Sequence, residues 1–214
     1  MTAFELPLPP VVRVPDFLAG HEHRALLDWV ISAKELFRPA TITHESKVDP
    51  TRRISLTTAK LGGLEPMLRE RMLDALPRLM ADTGTAGPPP TSLELELAAH
   101  GDGAYFRPHT DIQVGRGRHP VGAKPGEDRV LSAVYYFHVE PKAFSGGELR
   151  LFSFGPTPED DDNDRTHVDV EPAQNLLVAF PSWAPHEVRP VSCPGNRFEQ
   201  FRFSLNCWYC RTLG

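Results

Sequence analysis

The chain has 214 residues, 40% of them hydrophobic, and a formal net charge of −5, which is sufficient for one domain with a substantial core. The acidic balance and the absence of a long Lys/Arg run argue against nucleic-acid binding, which depends on basic surfaces. No apolar run approaches the roughly 18 residues of a membrane span, and residues 1–10 lack a signal-peptide pattern, so we expect no membrane association.

The first third of the chain is predicted to be helical. Apolar residues recur with a helical period over residues 21–37 and again over residues 64–80. Pro77 lies inside the second pattern and should kink or end that helix. The short Gly/Pro run at residues 87–90 favours a turn between layers of one domain over a linker between two domains.

From Ser92 onward the pattern changes to that of short strands. Leu93, Leu95 and Leu97 alternate with acidic residues, which predicts a half-buried strand. Further β-rich runs follow at residues 130–139, 147–154, 176–180, 188–191 and 201–209. Short strands at this spacing favour a sandwich or barrel that carries the helices on its outside. We therefore expect one domain over residues 1–214, with a helical support region at 1–90 and a β core at 91–210.

His109 and Asp111 form an H-x-D motif in an extended segment, where residues i and i+2 share a face. Two histidines and one carboxylate leave open coordination positions, the arrangement that suits non-haem iron(II). A second H-x-D occurs at His167 and Asp169. The distal candidate His186 lies 77 residues beyond His109 but only 19 beyond His167, and only the longer interval leaves room for the strands of a barrel. The sequence therefore predicts metal ligands at His109, Asp111 and His186.

The open positions of such an iron suit a bidentate cosubstrate such as 2-oxoglutarate, whose distal carboxylate is best held by a planar guanidinium. Arg202 shares a strand face with Ser204 and Asn206. An unpaired arginine would be costly in a dry core but is suited to the lining of a cavity. We predict Arg202 and Ser204 in the cosubstrate site. Arg197, which follows a Pro-Gly-Asn turn, stays the rival to Arg202.

Cys207 and Cys210 form a C-x-x-C within an apparent strand. Strand residues an odd number of positions apart point to opposite faces, so we interpret this pair as structural rather than redox-active. The chain has three cysteines, an odd and sparse set that argues against a disulfide scaffold and for a reducing, cytoplasmic location.

Six motifs occur in a fixed order between residues 97 and 209. They are residues 103–111 (GAYFRPHTD), 129–137 (RVLSAVYYF), 145–152 (SGGELRLF), 170–172 (VEP), 185–190 (PHEVRP) and 202–208 (RFSLNCW). In this order they resemble the prolyl-hydroxylase branch of the iron(II)- and 2-oxoglutarate-dependent oxygenases, especially the oxygen-sensing prolyl hydroxylases and their bacterial relatives.

The resemblance implies a mainly β fold with N-terminal helices, a double-stranded β-helix or jelly roll. It also implies iron(II), 2-oxoglutarate and O2 as cofactors, and no catalytic residue beyond the metal centre. Tyr136 matches a family residue that helps to hold the distal carboxylate, so it should partner Arg202. His100 stands where the family often has a tyrosine that contacts the cosubstrate, and it either substitutes for that tyrosine or is an ordinary strand-end histidine. The interval from His186 to Arg202 is longer than is usual in the family, so Arg197 remains an alternative anchor for the distal carboxylate.

The activity implied by the resemblance is hydroxylation of an unactivated C–H bond in a prolyl, peptidyl or amino-acid substrate. The alternatives are hydroxylation of a small natural product, desaturation on the same iron, and a non-catalytic jelly-roll binding module. Halogenation is disfavoured because it normally requires the carboxylate ligand to be absent, whereas Asp111 is present. Basic residues in two loops could steer an acidic or carboxylate-bearing substrate, namely Arg52, Arg53, Arg116, Arg118 and Lys124.

Overall fold

The computed structural model describes residues 6–42, 47–112, 127–155 and 165–212. It contains two α-helices, α1 (Gly20–Ser32) and α2 (Glu65–Thr83), and fourteen strands within these ranges. The strands are β1 (Val12–Val14), β2 (Arg38–Pro39), β3 (Arg53–Ile54), β4 (Leu56–Thr58), β5 (Ser92–His100), β6 (Tyr105–His109), β7 (Glu127–Phe137), β8 (Ser145–Gly146), β9 (Leu149–Phe152), β10 (His167–Val170), β11 (Leu176–Pro181), β12 (His186–Val188), β13 (Val191–Ser192) and β14 (Arg202–Thr212). Neither helix combines the length and the apolar character needed to cross a bilayer.

The strands form two main antiparallel sheets. The larger sheet has seven strands in the order β1-β11-β7-β14-β5-β4-β2, and the smaller has five in the order β10-β9-β12-β6-β3. Strands β8 and β13 form a separate two-stranded ribbon. The expectation of a mainly β jelly roll with N-terminal helices is confirmed.

The two faces of the larger sheet bury different partners because alternate residues of each strand point to opposite sides. On one face, a single apolar cluster joins the helices (Leu26, Val30, Leu68, Met72, Leu76 and Leu79) to the sheet (Leu97, Leu131, Tyr135, Leu177, Phe203 and Leu205). On the other face, a smaller cluster lies between the sheets and contains Tyr136, Leu149, Leu151, Val178 and Phe180. The candidate site lies on this side of the larger sheet and is lined by residues of both sheets.

Two buried polar contacts fix the helices on the larger sheet. The Tyr209 hydroxyl of β14 donates to the backbone carbonyl of Met72 in α2 at 2.7 Å. His23 of α1 lies 2.6 Å, Nδ1 to hydroxyl oxygen, from Tyr135 of β7. Directional bonds of this kind specify one docking geometry, in addition to the non-directional burial of apolar surface.

The helical description of residues 1–90 is incomplete. This region also supplies four short strands: β1 pairs with β11, β4 pairs with β2 and β5, and β3 pairs with β6. Each has only two or three residues, too few for an alternating pattern to be recognised. The N-terminal region therefore extends both sheets as well as covering one of them.

Of the two expected effects of Pro77, a kink or an end of the helix, the second does not occur, since α2 continues to Thr83 and is capped by Gly84 with φ 65°. Pro77 lies on the exposed side of α2, between the buried Leu76 and Leu79. The carbonyl that loses its hydrogen bond to the proline belongs to Leu73, whose side chain is 52% exposed, so that water can satisfy it. Burial of the neighbouring leucines therefore outweighs the local cost of the proline.

All three cysteines are free and buried. Burial raises the pKa of Cys207 and, to about 12, that of Cys210. Thiols held in the protonated form are poor nucleophiles, which agrees with a structural interpretation of the C-x-x-C.

The packing of the helices predicts that residues 1–87 do not fold as a separate piece. Their apolar faces are covered by the larger sheet, so a fragment of residues 1–87 should be largely unfolded by circular dichroism and hydrogen exchange. Limited proteolysis of the full chain, followed by mass spectrometry, tests the same point. Release of a helical, protease-resistant piece of residues 1–87 would contradict this prediction.

Candidate active site

Two histidines are brought together by the pairing of β6 with β12 in the smaller sheet. His109 ends β6, His186 begins β12, and the two are direct partners in the register. Their ring centroids lie 4.2 Å apart, and Asp111 follows two residues after His109. Potential ligand atoms of the three side chains all lie within 4.8 Å of one another, and no other such group of three occurs among the described residues.

Both imidazole rings are oriented by backbone carbonyl groups. Nδ1 of His109 lies 2.8 Å from the carbonyl oxygen of Arg107, and Nδ1 of His186 lies 2.9 Å from that of Ala184. Because a carbonyl can only accept, each ring carries its proton on Nδ1 and leaves Nε2 free. The Nε2 atoms lie 3.9 Å and 3.7 Å from the two carboxylate oxygens of Asp111. Two free nitrogen lone pairs and one carboxylate therefore converge, which is a donor set suited to a divalent transition metal.

The surroundings of His109 keep its ring in the neutral form that binds metals. Phe106 stacks on His109 with ring centroids 3.6 Å apart, and Phe180 meets His186 edge-on at 4.8 Å. Burial, followed by the neighbouring His186, lowers the pKa of His109 to about 3. A neutral imidazole does not have to lose a proton before it binds a metal ion.

Asp111 is held in place by two serines that the sequence did not single out. Ser132 Oγ donates to Asp111 Oδ2 at 2.6 Å and lies 2.8 Å from Ser182 Oγ. The Asp111 amide donates to the Ser182 carbonyl at 3.0 Å. Burial alone would raise the pKa of Asp111, but His186 and His109, with smaller contributions that include Ser132, lower it overall. The one available sequence signal was a small polar residue, Ser132, within an apolar strand.

A buried cation lies in the same cavity as the triad. Arg202 begins β14, is 1% exposed, and pairs in register with His100 at the end of β5. Its guanidinium carbon lies 4.8 Å from the ring centroid of Tyr136, and its Nη1 lies 3.1 Å from His100 Nδ1. The Arg202 Nε and the Tyr136 hydroxyl are both buried without a hydrogen-bond partner. Since unpaired buried polar groups are costly, these donors fit a carboxylate ligand.

Gly147 lies close to the aliphatic part of the Arg202 side chain. Its φ is +73°, and a Cβ at this position would lie 2.7 Å from Cδ of Arg202 and 2.9 Å from Cγ2 of Val191. Only glycine permits this conformation without strain and this close approach. The conformation of Arg202 is therefore restricted at two points, by Gly147 near Cδ and by His100 at Nη1.

The structure separates the two rival arginines. Arg202, Ser204, Asn206 and Trp208 all line the cavity that contains the triad, on one face of β14. The side chain of Arg197 is 66% exposed and pairs with Glu199 at 3.4 Å. Ser204 Oγ contacts Asn206 Oδ1 at 3.3 Å.

The second H-x-D lies elsewhere in the smaller sheet. His167 and Asp169 belong to the edge strand β10, and Asp169 pairs with Arg150 of β9 at 2.8 Å. Neither residue lines the cavity.

Of the basic loop residues, Arg53 reaches the cavity. Its guanidinium carbon lies 4.8 Å from the Phe106 ring centroid, and its Nη2 lies 3.4 Å from Glu96. Arg52 Nη2 lies 3.5 Å from the Pro108 carbonyl. Residues 113–126 of the second loop, with Arg116, Arg118 and Lys124, lie outside the described residues.

Comparisons with known proteins agree with this geometry. The family model of the 2OG-Fe(II) oxygenase superfamily matches residues 95–210. An uncharacterized PKHD-type hydroxylase of Synechocystis sp. is 33% identical over 199 residues, covering 91% of this chain. The match spans 61% of that relative's length.

Solved structures share the fold. A Pseudomonas putida prolyl-4-hydroxylase aligns with a TM-score of 0.63 and 23% identity, covering 96% of this chain and 94% of its own. A Trichoplax adhaerens prolyl hydroxylase, in complex with a peptide fragment of the hypoxia inducible factor oxygen degradation domain, aligns with a TM-score of 0.66 and 17% identity. That alignment covers 94% of this chain and 83% of the other.

The triad geometry predicts which histidines matter for metal binding. His109→Ala, Asp111→Ala and His186→Ala should each reduce Mn(II) affinity by more than the roughly 10–100-fold typical of an outer hydrogen-bonding partner. Ser132→Ala should fall within that roughly 10–100-fold range. His167→Ala, from the second H-x-D, is the matched control and should bind Mn(II) like the unmodified protein. Calorimetry or Mn(II) electron paramagnetic resonance measures the affinities, and normal binding by His186→Ala would contradict the assignment.

Proposed function

The chain belongs to the 2OG-Fe(II) oxygenase superfamily, and from this premise we propose that it is a hydroxylase that uses iron(II), 2-oxoglutarate and O2. In this proposal His109, Asp111 and His186 bind iron(II). Arg202 and Tyr136 hold the distal carboxylate of 2-oxoglutarate, with Ser204 and His100 beside them. When bound, iron(II) and 2-oxoglutarate supply the oxidising power that inserts one atom of O2 into a C–H bond, with release of succinate and carbon dioxide.

The observation that carries this proposal is the pairing of two unlike sites in one cavity. The convergent donors of the triad belong to the side of the smaller sheet, and the unpaired Arg202 Nε and Tyr136 hydroxyl belong to strands of the larger sheet. Residues of both groups line the same cavity. A dicarboxylate with a chelating keto-acid end requires this combination of a metal site and a separate cationic site.

The remaining residues of the cavity have supporting functions. Ser132 orients the carboxylate of Asp111, while the carbonyls of Arg107 and Ala184 fix which nitrogen of each imidazole is free. Phe106 and Phe180 pack on the imidazole rings. These apolar walls exclude water from the reacting centre, which strengthens the electrostatic interactions inside it.

A non-catalytic binding module is disfavoured by the same residues. Such a module would have no requirement for three convergent metal ligands or for a buried guanidinium without a counter-charge, and both cost stability. Asp111 also supplies the carboxylate that a halogenase normally lacks.

For the prime substrate we propose a prolyl, peptidyl or amino-acid C–H bond. Support comes from the prolyl-4-hydroxylase of P. putida and the peptide-bound prolyl hydroxylase of T. adhaerens, which share this fold. The cavity also contains Arg53 and Trp208, a cation and an aromatic ring that can contact polar and apolar parts of a peptide. A small natural product is the alternative.

The proposed carboxylate anchor predicts unequal effects of two arginine substitutions. Arg202→Ala should weaken 2-oxoglutarate binding by about 2–5 kcal/mol, because one partner of a buried charge pair is removed. Arg197→Ala is the matched control and should have little effect, since its side chain is 66% exposed. Calorimetric titration of the Mn(II)-loaded variants measures both. The reverse ranking would reassign the anchor to Arg197.

The proposed substrate class predicts which compounds stimulate succinate formation. Prolyl peptides or free amino acids, supplied with iron(II), 2-oxoglutarate and O2, should increase succinate release and gain one oxygen atom by mass spectrometry. Asp111→Ala protein is the control for uncatalysed oxidation. Oxygen insertion into an unrelated small molecule, with peptides and amino acids unchanged, would reject the substrate class but leave the oxygenase assignment in place.

A further inference from the structure

His100 occupies an unusual position beside the proposed carboxylate anchor. It is the last residue of β5, is 3% exposed, and pairs in register with Arg202. Its Nδ1 lies 3.1 Å from Arg202 Nη1. A guanidinium has five N–H donors and no acceptor, so Nδ1 must accept this hydrogen bond.

That contact determines the protonation of the ring. An Nδ1 that accepts carries no proton, so the single proton of a neutral imidazole must lie on Nε2. Burial, followed by the charges of Arg202 and Arg53, lowers the pKa of His100 well below its usual value. The hydrogen bond to Arg202 also requires a neutral ring, because an imidazolium would have no acceptor for it and would place a second cation beside the guanidinium.

The other nitrogen of the ring is available to a ligand. His100 lines the same cavity as the triad, and its Nε2 forms no hydrogen bond with another described residue. The tautomer of His100 is thus the opposite of that of His109 and His186. In those two residues Nδ1 carries the proton and Nε2 is free to bind a metal. His100 instead presents an N–H donor on its Nε2 edge.

We propose that His100 has two separable functions in the cosubstrate site: its Nδ1 positions the Arg202 guanidinium, and its Nε2–H donates to an oxygen of the distal carboxylate of 2-oxoglutarate. This inference rests on the proposed function, because it requires Arg202 to be the carboxylate anchor. Gly147 limits Arg202 near its Cδ, so both the aliphatic part and the guanidinium of the arginine are constrained by neighbours. His100 is therefore more than a strand-end histidine.

Two isosteric substitutions separate the two functions. His100→Asn places its side-chain oxygen near the position of Nδ1, so it keeps the acceptor for Arg202 and loses the donor to the ligand. His100→Gln places an amide nitrogen near the position of Nε2, so it keeps the donor and loses the acceptor. Each should weaken 2-oxoglutarate binding to the Zn(II)-loaded protein about 10-fold, because each loses one charge-assisted hydrogen bond. His100→Leu loses both groups and should weaken binding by about 100-fold.

A cosubstrate analogue tests whether His100 acts at the distal carboxylate. 2-Oxopentanoate keeps the keto-acid end and the chain length of 2-oxoglutarate but lacks the distal carboxylate. The His100 variants should therefore lose affinity for 2-oxoglutarate and keep their weak affinity for 2-oxopentanoate. His167→Gln, which replaces a histidine outside the cavity, is the matched control and should leave both affinities unchanged. An equal loss of affinity for both ligands would overturn the proposal.

The protonation state can be read directly in the unmodified protein, independently of how the variants fold. In a long-range nitrogen–proton spectrum of histidine-labelled, Zn(II)-loaded protein, His100 should show a protonated Nε2 and an unprotonated Nδ1. The Nε2–H resonance should shift when 2-oxoglutarate is added. A proton on Nδ1, or no shift at saturating 2-oxoglutarate, would overturn the proposal.

Arg202→Ala distinguishes failure of this inference from failure of the proposed function. If Arg202→Ala keeps the full preference for 2-oxoglutarate over 2-oxopentanoate, Arg202 is not the anchor and both proposals fail. If Arg202→Ala loses that preference while the His100 variants keep it, the inference about His100 fails alone. Loss of preference in both sets supports both proposals.

Discussion

Burial of the Arg202 guanidinium inside a β core is the constraint on which the rest of the site depends. A buried cation without a counter-charge costs several kcal/mol, and Arg202 forms no ion pair with a described residue. The protein tolerates this cost because β14 is a central strand, paired with β5 on one side and β7 on the other. Its opposite face carries Phe203 and Leu205, which pack on the helices. One strand thus stabilises the fold on one face and presents an unpaired donor set on the other.

The register of the strands determines which residues line the cavity and which of them lie opposite one another. A shift of one residue would exchange the two faces of a strand, so the apolar cluster under the helices also fixes which residues of β14 point to the cavity. The same register places His100 opposite Arg202, and Ser204 opposite Tyr136. In the smaller sheet, pairing of β6 with β12 places His109 opposite His186. Ordinary ladder pairing therefore brings together these residues, which are distant in sequence.

Features that depend on a repeating pattern of apolar residues can be predicted from the sequence, whereas features that depend on a single side-chain contact cannot. Alternation in residues 93–97 and 202–208 was long enough to predict the strands that became β5 and β14, and to predict which side of β14 carries Arg202. The short strands β1 to β4 carry no period, and α2 passes Pro77 because buried leucines on either side outweigh it. Ser182 has no distinctive pattern, since it supports Asp111 through its backbone carbonyl and through the Ser132 hydroxyl, and such contacts are recognised only from distances. The interpretation of His100 was left open for the same reason, because its role depends on which nitrogen faces Arg202.

Charge balance links the two ends of the cavity. On the proposed ligand set, Asp111 contributes one negative charge, Arg202 one positive charge, and the neutral imidazoles none. Arg53 also lines the cavity, but its charge is balanced by the ion pair with Glu96. Iron(II) and the 2-oxoglutarate dianion have equal and opposite charges, so the cavity is neutral with both bound but not with either alone. In a buried site of low dielectric, an uncompensated charge is costly, and each ligand should therefore strengthen the binding of the other. Such coupling is reciprocal by thermodynamic necessity. The unpaired donors at one end and the convergent acceptors at the other are thus two parts of one binding equilibrium rather than independent sites.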